Sequence, residues 1–485
     1  MDELNTQTAK GSLEYAAPST PTGEEPGHKS LEGMHSSVDV PKHSASFWRQ
    51  YRAFAGPALL VSVGYMDPGN WATDLQGGAS FKYGLLWVVA LSSMMAIVLQ
   101  ICSARLGVVT GKDLAQACRD YYPKWSRWPN WIGCEVAIMA CDLAEVLGSA
   151  VAIHLLFPKI SLMLAVIITS LDVVILLSLQ SRGMRFIEAF ILVLVLTIGT
   201  CYFIEIFVIP QTIPHFGEMG QALAHPGFNP PAAAIEAAGG LASARHSMIF
   251  VAIGIIGATV MPHNLYLHSA LVQTRKFQQD EPSIKRAIQL NTIDSVFALS
   301  IAFLVNASIM VLAATTFYGK TNLTLADGRP INEDWIQGAY LTLSPLLGTA
   351  AASILFAVAL LASGQSSTVT GTLAGQVVME GFMHWRMRPW ARRMITRLAA
   401  IIPAILVIGI RGDNSINDLL TLSQVILGIQ LPLAMIPLLH FTSSKARMGK
   451  FANGKFLLFT GWVSCALITS LDVYYLFTGI LFPSK

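Results

Sequence analysis

The chain has 485 residues, of which 53% are hydrophobic and 13% are charged, and its formal net charge is +3. Soluble globular proteins carry about 25% charged residues, so this composition excludes a purely soluble enzyme and indicates an integral membrane protein. The small positive charge is not clustered, which argues against nucleic acid as a partner. The six cysteines form no CxxC pair and are expected to be buried free thiols.

Residues 1–45 are polar and are expected to form a disordered tail in the cytosol, because they cannot bury a core. Residues 46–485 are expected to form a single transmembrane domain. Eleven apolar stretches in it are long enough to cross about 30 Å of hydrocarbon. These predicted spans lie at about 54–78, 84–107, 131–156, 160–179, 187–209, 246–272, 290–315, 345–379, 395–410, 417–440 and 455–481. The sequence thus predicts an all-α protein with 11 transmembrane helices, of which the first and sixth are interrupted midway by proline and glycine.

The lysine and arginine residues indicate the orientation of these spans. The N-terminal tail and the loops after the even-numbered spans carry 24 of them, and the opposite side of the membrane carries seven. One more, Arg397, lies at the start of span nine. Because positive residues favour the cytosolic side, the N-terminus is expected in the cytosol and the C-terminus outside. A missed or extra span would have removed this alternation.

The two interrupted spans stand five spans apart, with Pro68 and Pro262 in comparable places. An odd number of spans per unit reverses the second unit in the membrane. This spacing therefore predicts a five-plus-five inverted repeat over about 50–209 and 245–441, with span eleven at about 455–481 as an added helix. Interrupted helices at matching positions in two halves mark the substrate site of secondary transporters. Two unrelated proline kinks are the alternative interpretation.

The first interruption has the sequence GYMDPGN at residues 64–70. Pro68 removes a backbone donor and Gly69 allows unusual dihedral angles, so carbonyl groups near this break lose their helical partners. An ionised Asp67 in hydrocarbon is costly and should face a cation or a hydrogen-bonding partner inside the protein. Together with the amide oxygen of Asn70, these groups predict an oxygen-rich cation site. A helix cap at a kink, with Asp67 neutral, is the alternative.

The second interruption has the sequence GATVMPHN at residues 257–264. A methionine in an apolar helix usually serves packing, but Met261 directly precedes the helix-breaking Pro262 and is expected to face the acidic first break. A thioether is a soft ligand that binds Ca²⁺ and Mg²⁺ poorly and transition metals acceptably. Met261 therefore predicts selection against the two abundant hard cations.

DPGN at residues 67–70 and MPH at residues 261–263 resemble the signatures of the natural resistance-associated macrophage protein (Nramp) family, specifically of its bacterial manganese transporters. The resemblance extends from about residue 50 to 480. Further matching segments are DLAE at 142–145, LASGQSS at 361–367 and LSQVIL at 422–427. The resemblance implies the fold of amino-acid/sodium symporters, a bacterial inner membrane as the location, and proton-driven import of Mn²⁺ or Fe²⁺, with Cd²⁺ as a further candidate ion.

Carried over position by position, the resemblance implies a metal site made of Asp67, Asn70 and Met261. It adds backbone carbonyl ligands at Gly64 and Ala258. Gln424, on span ten, matches a residue that approaches the ion in some conformations. No resident cofactor is implied, because the metal ion is the substrate. The expected partners are divalent metal ions, protons and the lipid bilayer, and a monomer is compatible with the sequence.

A proton route is predicted along span three, where Glu135, Asp142 and Glu145 share about one 80° face of a helix. The alternative is structural pairing of these carboxylates with Arg392, Arg393 or Arg397 on span nine. The resemblance places Asp142 and Glu145 on the proton pathway with Arg392 and Arg393 beside it. Asp67 is the expected coupling point, since metal binding favours its charged form. His263 and His268 are candidate proton acceptors or gate residues, or else hydrogen-bonded packing residues.

Other classes of function are less well supported. A magnesium-carrying relative of the same fold would be expected to lack the thioether of Met261. A non-transporting Nramp-like sensor would be expected to carry a long soluble region after the last span, where only a few residues follow here. An enzyme is not indicated, because no HExxH, GxSxG or P-loop motif occurs in a suitable context. A passive channel would not need two facing breaks.

Overall fold

The computed structural model describes residues 30–31, 36–41, 46–169, 182–204, 214–319, 350–385, 387–411, 416–475 and 477. Almost all of them are helical. The helices are α1 Phe47–Phe54, α2 Pro57–Gly64, α3 Pro68–Phe81, α4 Leu86–Thr110, α5 Leu114–Tyr121, α6 Arg127–Leu156, α7 Leu162–Thr169, α8 Met184–Phe203, α9 Phe216–Ala224, α10 Ala232–Ala237, α11 Leu241–Val260, α12 Pro262–Leu271, α13 Glu281–Thr316, α14 Ala350–Met383, α15 Pro389–Arg411, α16 Ile416–Ser443, α17 Lys445–Met448 and α18 Lys455–Tyr475. Two short strands, β1 Val38–Asp39 and β2 Arg275–Lys276, pair in parallel.

Eight helical segments in the described part of the chain are long and apolar enough to cross a membrane. They correspond to predicted spans two, three, five, six, seven, eight, ten and eleven. Span one is present as the two short helices α2 and α3, and span nine as α15, whose apolar part is Met394–Leu406. The first part of predicted span four is present as α7, and the rest of its predicted range, residues 170–179, lies outside the described residues. The helical membrane fold is confirmed, and the count of eleven spans stays a prediction.

Both predicted breaks are present where the prolines stand. Pro68 and Pro262 each begin a new helix, a position at which proline is tolerated because the first N–H groups have no partner within that helix. Three residues separate α2 from α3, whereas only Met261 separates α11 from α12. Each interrupted span is thus two half-helices that meet in the interior of the protein.

The remaining helices pack closely around these half-helices. α13 lies along α3 and α4, α14 lies along α6, and α16 lies along α11. The contact between α11 and α16 is close because Gly257 has no side chain: a methyl group there would collide with the Gln424 carbonyl group and the backbone of Gly428. The second break is therefore held directly against span ten.

Part of the predicted N-terminal tail is packed against the membrane domain. β1 pairs with β2, which follows span six, and the N–H of Ser36 donates to the Gln273 carbonyl oxygen at 3.2 Å. The N–H of Leu31 donates to the Glu380 carboxylate at the end of α14, at 2.9 Å. The disorder expected for residues 1–45 therefore does not extend to residues 30–31 and 36–41, here called the N-terminal strap. Hydrogen bonds to distant parts of the chain order them, and composition alone does not reveal such partners.

The N-terminal strap also meets α5, a helix that the span analysis did not predict. Asp113 and Gln116 form a reciprocal capping box at the start of α5, with hydrogen bonds of 2.9 and 3.1 Å. Gln116 also donates to the Ser30 hydroxyl at 3.3 Å. Burial raises the pKa of Asp113 to about 6, although hydrogen bonds from Ser30 and Gln116 and the charge of Arg119 oppose that rise.

This buried cap predicts a pH-dependent stability. Because its pKa is raised on folding, Asp113 holds a proton in the folded protein at pH values where the unfolded chain has released it. The free energy of unfolding should therefore fall as the pH rises from about 4 through 6. Asparagine is an equally good N-cap. We expect Asp113→Asn to have a higher Tm than wild type above pH 6, with the difference vanishing towards pH 4, in thermal unfolding of detergent-solubilised protein.

Asp120 on the same helix provides a control of opposite sign. Burial opposes the shift, but the hydrogen bond from Lys112 and the charges of Arg119 and Lys112 keep the pKa of Asp120 below its ordinary value. Its contribution is fully present above the ordinary pKa and is lost only as the pH falls through the lowered pKa of the folded protein, so Asp120→Asn should lower the Tm at pH 7, and this difference should shrink as the pH falls below about 4. Equal responses of the two variants would contradict the prediction.

Candidate metal centre

The first break leaves backbone carbonyl groups inside the protein, and side chains from other spans bind two of them. Asn306 of α13 donates to the carbonyl oxygen of Tyr65 at 2.8 Å. The carbonyl oxygen of Met66 accepts from the indole N–H of Trp71 at 3.1 Å and from the Ser363 hydroxyl of α14. These contacts satisfy groups that would otherwise be costly at membrane depth.

The carbonyl groups of Gly64 and Ala258 have the same position in the sequence relative to the proline of their break. Pro68 stands four residues after Gly64, and Pro262 stands four residues after Ala258. In a helix the residue four positions later supplies the N–H that a carbonyl oxygen accepts, and proline has none. The sequence of each break therefore deprives one carbonyl of its helical donor, at the two positions that the family resemblance implies as ligands.

Asp67 and Asn70 occupy the first turn of α3. Asp67 is the N-cap of this helix, and its Oδ1 accepts from the backbone N–H of Asn70 at 2.8 Å. The helix cap weighed as an alternative is therefore present. Capping occupies one carboxylate oxygen, and Asp67 Oδ2 faces the thiol of Cys141 at 4.0 Å. Both Asp67 and Asn70 are fully shielded from solvent.

Met261 has an unusual backbone conformation. Its φ of 39° and ψ of 103° place it outside the regions that non-glycine residues ordinarily adopt. Such strain persists where the surroundings fix it, and it is common at ligand sites. The Met261 side chain is buried.

The two breaks meet in space. The Tyr65 hydroxyl donates to the carbonyl oxygen of Val260 at 3.5 Å, which links the end of α2 to the end of α11. A methyl group built on Gly64 would collide with the amide nitrogen of Asn264 and lie 3.3 Å from the Met261 sulfur. The carboxylate side of span one and the thioether side of span six thus belong to one site.

Gln424 of α16 joins this site, as the resemblance implies. Its side-chain amide lies against Gly69, in the same turn as Asn70, and donates to the Ser423 hydroxyl at 2.9 Å. The amide oxygens of Asn70, Asn264 and Gln424 are buried and have no hydrogen-bond partner among the described residues. Buried acceptors normally have a donor or a cation nearby. Three of them around the breaks fit an oxygen-rich cation site.

The site differs from an ordinary metal cluster. No group of three or more His, Cys, Asp or Glu residues that could hold a metal ion occurs in the described ranges. Here one carboxylate stands among amides, carbonyl groups and a thioether. All six residues implied as ligands are buried.

Two of the predicted carboxylates of span three lie near the metal site. Asp142 and Glu145 of α6 both face Gly371 of α14, with carboxylate oxygens 3.9 and 3.1 Å from the position of a Cβ built there. Glu145 accepts from the Thr368 hydroxyl at 3.0 Å. The Cys141 thiol lies 3.7 Å from Glu145 and therefore stands between Glu145 and Asp67.

The structural pairing weighed as an alternative is also present. Glu135 accepts from Arg392 Nη2 at 2.9 and 3.0 Å, and Arg397 Nη1 lies 3.9 Å from Glu145. Glu135 is about 15 Å from Glu145 along α6, so the structure does not bring it to the metal site. Arg393 lies on α15, and its side chain is outside the described ones.

The two predicted histidines have different surroundings. His263 is buried in the first turn of α12, and its Nδ1 has no partner among the described residues. His268 Nδ1 is hydrogen-bonded to the Gln100 side chain at 2.9 Å, and Gln100 donates to the Tyr65 hydroxyl at 2.7 Å. His268, Gln100 and Tyr65 thus form a chain that ends at the second break.

Sequence reasoning missed several residues of this site. Tyr65, Gln100, Asn264 and Cys141 were not assigned a role, although three of them are polar residues inside predicted spans or breaks. That polarity was a usable signal, because a polar side chain in a span needs a partner. Nothing in the sequence distinguishes Cys141 from the other buried thiols.

Asp294, which was also unassigned, fixes the start of span one. Its carboxylate accepts from the N–H groups of Gly56 and Ala58 at 3.3 and 3.1 Å. Arg275 donates to the carbonyl oxygen of Ala55 at 2.8 Å and pairs with Glu188 at 2.7 Å. The start of the first half-helix is thus attached to spans five, six and seven through polar contacts.

The fold and the site together define a class of protein. Two half-helix pairs that meet in the interior of a membrane bundle, with ligating groups at the breaks, are the architecture of secondary transporters. A profile of the family described as "Natural resistance-associated macrophage protein-like" matches residues 58–478, so the chain belongs to this family.

Relatives with assigned names are similar along almost the whole chain. The divalent metal cation transporter MntH of Nostoc sp. is 50% identical over 451 residues, which cover 93% of this chain and 96% of the relative. The divalent metal cation transporter MntH of Mesorhizobium japonicum is 47% identical over 454 residues, 94% of each chain. Both relatives are named as transporters and not as enzymes.

Two solved transporter structures are similar to this chain in fold. A crystal structure of a mutant of the Eremococcus coleocola manganese transporter superposes with a TM-score of 0.82 at 37% identity, covering 94% of each chain. Mhp1, a nucleobase–cation symport-1 family transporter, superposes with a TM-score of 0.53 at 14% identity, covering 93% of this chain and 97% of Mhp1. The second likeness concerns the fold alone.

The buried pair Glu135–Arg392 should contribute measurable coupling energy. Removing one partner leaves a charge with little access to water, because the Arg392 side chain is 5% exposed and the Glu135 side chain 18%. In a double-mutant cycle of Glu135→Gln and Arg392→Gln, we expect each single variant to lower the free energy of unfolding. The double variant should regain about 1–3 kcal/mol relative to the sum.

The exposed pair Glu281–Lys450 is the matched control. Its atoms lie 3.0 Å apart, but the side chains are 49% and 69% exposed. Such pairs are worth about 0–1 kcal/mol. Both cycles would be measured by unfolding in the same detergent, and equal coupling in the two pairs would show that burial of Glu135 and Arg392 has no energetic effect.

Proposed function

We propose that this protein imports divalent transition-metal ions, Mn²⁺ first and also Fe²⁺ and Cd²⁺, together with protons by alternating access. The observation that carries the proposal is the meeting of the two breaks, which places Met261 and Asn264 against Gly64. The names of the relatives support the substrate class. The charge bias of the loops supports a cytosolic N-terminus.

The proposed ligands are Asp67, Asn70, Met261 and the carbonyl groups of Gly64 and Ala258. Gln424 is a further ligand when α16 approaches the ion. One carboxylate against a doubly charged ion leaves net positive charge, and neutral amide and carbonyl oxygens stabilise it as dipoles. Hard cations favour all-oxygen sites, whereas the thioether favours softer transition metals. The site thus combines affinity for divalent ions with rejection of Mg²⁺ and Ca²⁺.

The proposed proton route starts at Asp67 and leads through Glu145 and Asp142 along α6. The thiol of Cys141 and the hydroxyl of Thr368 lie beside it. Metal binding favours the charged form of Asp67, so a proton should leave that carboxylate when the ion arrives. Glu135 and Arg392 mark the far end of the route. His263 and His268 belong to the proposed gate.

Alternating access is supported by where the site lies and how it is closed. The candidate ligands are shielded from solvent. The half-helices on either side of each break can move separately because helical hydrogen bonding is interrupted between them. The hydrogen-bonded chain from His268 through Gln100 to Tyr65 links α12 to the end of α2. We assign it to the cytosolic gate.

Removal of the thioether should change ion selectivity. We expect wild-type proteoliposomes to take up Mn²⁺ faster with an inward proton gradient and to keep that rate in millimolar Mg²⁺ or Ca²⁺. Met261→Ala should take up Mn²⁺ in the absence of competitors. In millimolar Mg²⁺ its rate of Mn²⁺ uptake should fall by about tenfold or more, because the remaining ligands are hard. Radiotracer uptake with a pH-sensitive dye inside the vesicles measures both ions.

Met248→Ala is the matched control, since it removes the same atoms from the same span. Met248 is buried in α11 about 20 Å from Met261. Mn²⁺ uptake by the Met248→Ala variant should be as insensitive to Mg²⁺ as uptake by the wild type. Wild-type uptake that Mg²⁺ blocks fully would favour the magnesium-carrying alternative, and the absence of any ion movement would favour the sensor.

Glu145→Gln should separate metal movement from proton movement. The amide keeps a hydrogen bond to Thr368 but cannot release a proton. We expect Mn²⁺ uptake to continue while the accompanying acidification falls by about tenfold or more, since a positioned proton carrier is worth at least that factor in rate. Glu281→Gln, the same change at an exposed site, should leave the ratio of protons to metal unchanged. Unchanged acidification in Glu145→Gln would remove Glu145 from the route.

A further inference from the structure

Asn264, in the first turn of α12, makes two hydrogen bonds to Met261. Its backbone N–H donates to the Met261 carbonyl oxygen at 3.2 Å, and its side-chain Nδ2 donates to the Met261 sulfur at 3.4 Å. Both residues are fully buried. A thioether sulfur can only accept, so the amide must present its nitrogen to it. Asn264 therefore holds Met261 by the backbone and by the side chain.

Met261 needs such support for two reasons. Its φ of 39° is a strained conformation for a residue with a side chain. Its side chain is also unbranched with several freely rotating bonds, which suits irregular packing better than a fixed ligand geometry. A sulfur has two lone pairs, so one can accept the N–H of Asn264 while the other remains available to an ion.

Gly64 provides the space that this arrangement requires. A methyl group at Gly64 would collide with the Nδ2 atom of Asn264. The amide therefore lies against the first break, beside the sulfur of the second. Its oxygen, Oδ1, is buried without a partner among the described residues, so the side chain is held by its contact with the sulfur.

From this geometry we infer that Asn264 is a positioning residue that orients the Met261 thioether for soft metal ions and so sets ion selectivity. The inference rests on the proposed function, because it concerns the same site. Because Asn264 acts through the sulfur, its loss should weaken the binding of each ion in proportion to the affinity of that ion for sulfur. Cd²⁺ is the most thiophilic of the proposed ions and should be affected most, Mn²⁺ less and Mg²⁺ least.

The test is calorimetric titration of the full-length protein in nanodiscs with Cd²⁺ and with Mn²⁺. Asn264→Leu keeps the approximate shape and removes the donor. We expect it to weaken Cd²⁺ binding about fivefold and Mn²⁺ binding by less than about twofold, the size of one lost hydrogen bond. In a Met261→Ala background the same change should have no further effect on the Cd²⁺ to Mn²⁺ ratio, because no sulfur remains to be oriented.

Two further variants keep the test decisive. Gly64→Ala retains both Asn264 and Met261 but displaces the Asn264 amide. If Asn264→Leu does not fold, Gly64→Ala should lower the Cd²⁺ to Mn²⁺ ratio in the same direction. Asn291→Leu is the matched control, since Asn291 is a buried asparagine of α13 that donates to the Ala287 carbonyl. It should leave the ratio unchanged.

The outcomes separate this inference from the proposed function. If the wild type binds neither Cd²⁺ nor Mn²⁺, the proposed function is wrong, and the inference fails with it. If the wild type binds both, and Asn264→Leu weakens both equally or adds to the effect of Met261→Ala, the positioning role alone is overturned.

Discussion

The whole centre of this protein depends on one constraint, which is that backbone groups at membrane depth must find partners inside the protein. Pro68 and Pro262 each remove a donor that a helix would need. Asn306, Ser363 and Trp71 bind carbonyl groups freed at the first break, and Tyr65 binds one at the second. Through these hydrogen bonds, spans one, six, seven and eight fix one another around the same point.

Most of the polar groups at this candidate site are neutral. Amide groups, carbonyl groups and one thioether lie at the two breaks together with the carboxylate of Asp67, and the carboxylates of Asp142 and Glu145 lie on α6 beside Cys141. Charges concentrated at the ion would bind a divalent cation too tightly to release it. In the proposed function, the carboxylate of Asp67 binds the metal ion and the carboxylates of α6 carry protons. The arginines of α15 stabilise this second group, as the contacts of Glu135 and Glu145 show.

Hydropathy and proline placement were sufficient to predict most of the spans and both breaks, because lipid exposure and a missing N–H act locally along the chain. The start of α13 at Glu281, well before the predicted 290, was missed since its first turns are polar and extend beyond the apolar stretch. Contacts such as His268–Gln100 and Asn264–Met261 were not predicted. They depend on the rotation of each helix and on neighbours that are distant in sequence, which a hydropathy pattern does not contain. The family resemblance supplied ligand positions, and the structure supplied the residues that hold them.

The contacts of the N-terminal strap depend on parts of the chain that are synthesised much later. Leu31 leaves the ribosome early, but its partner Glu380 follows 349 residues later, and β2 is also made long after β1. The strap therefore has no surface to dock on until spans six and eight have been inserted. Docking of the strap therefore follows the synthesis of span eight, although spans nine to eleven are still to come. A chain that stops before span eight would keep its N-terminal strap undocked.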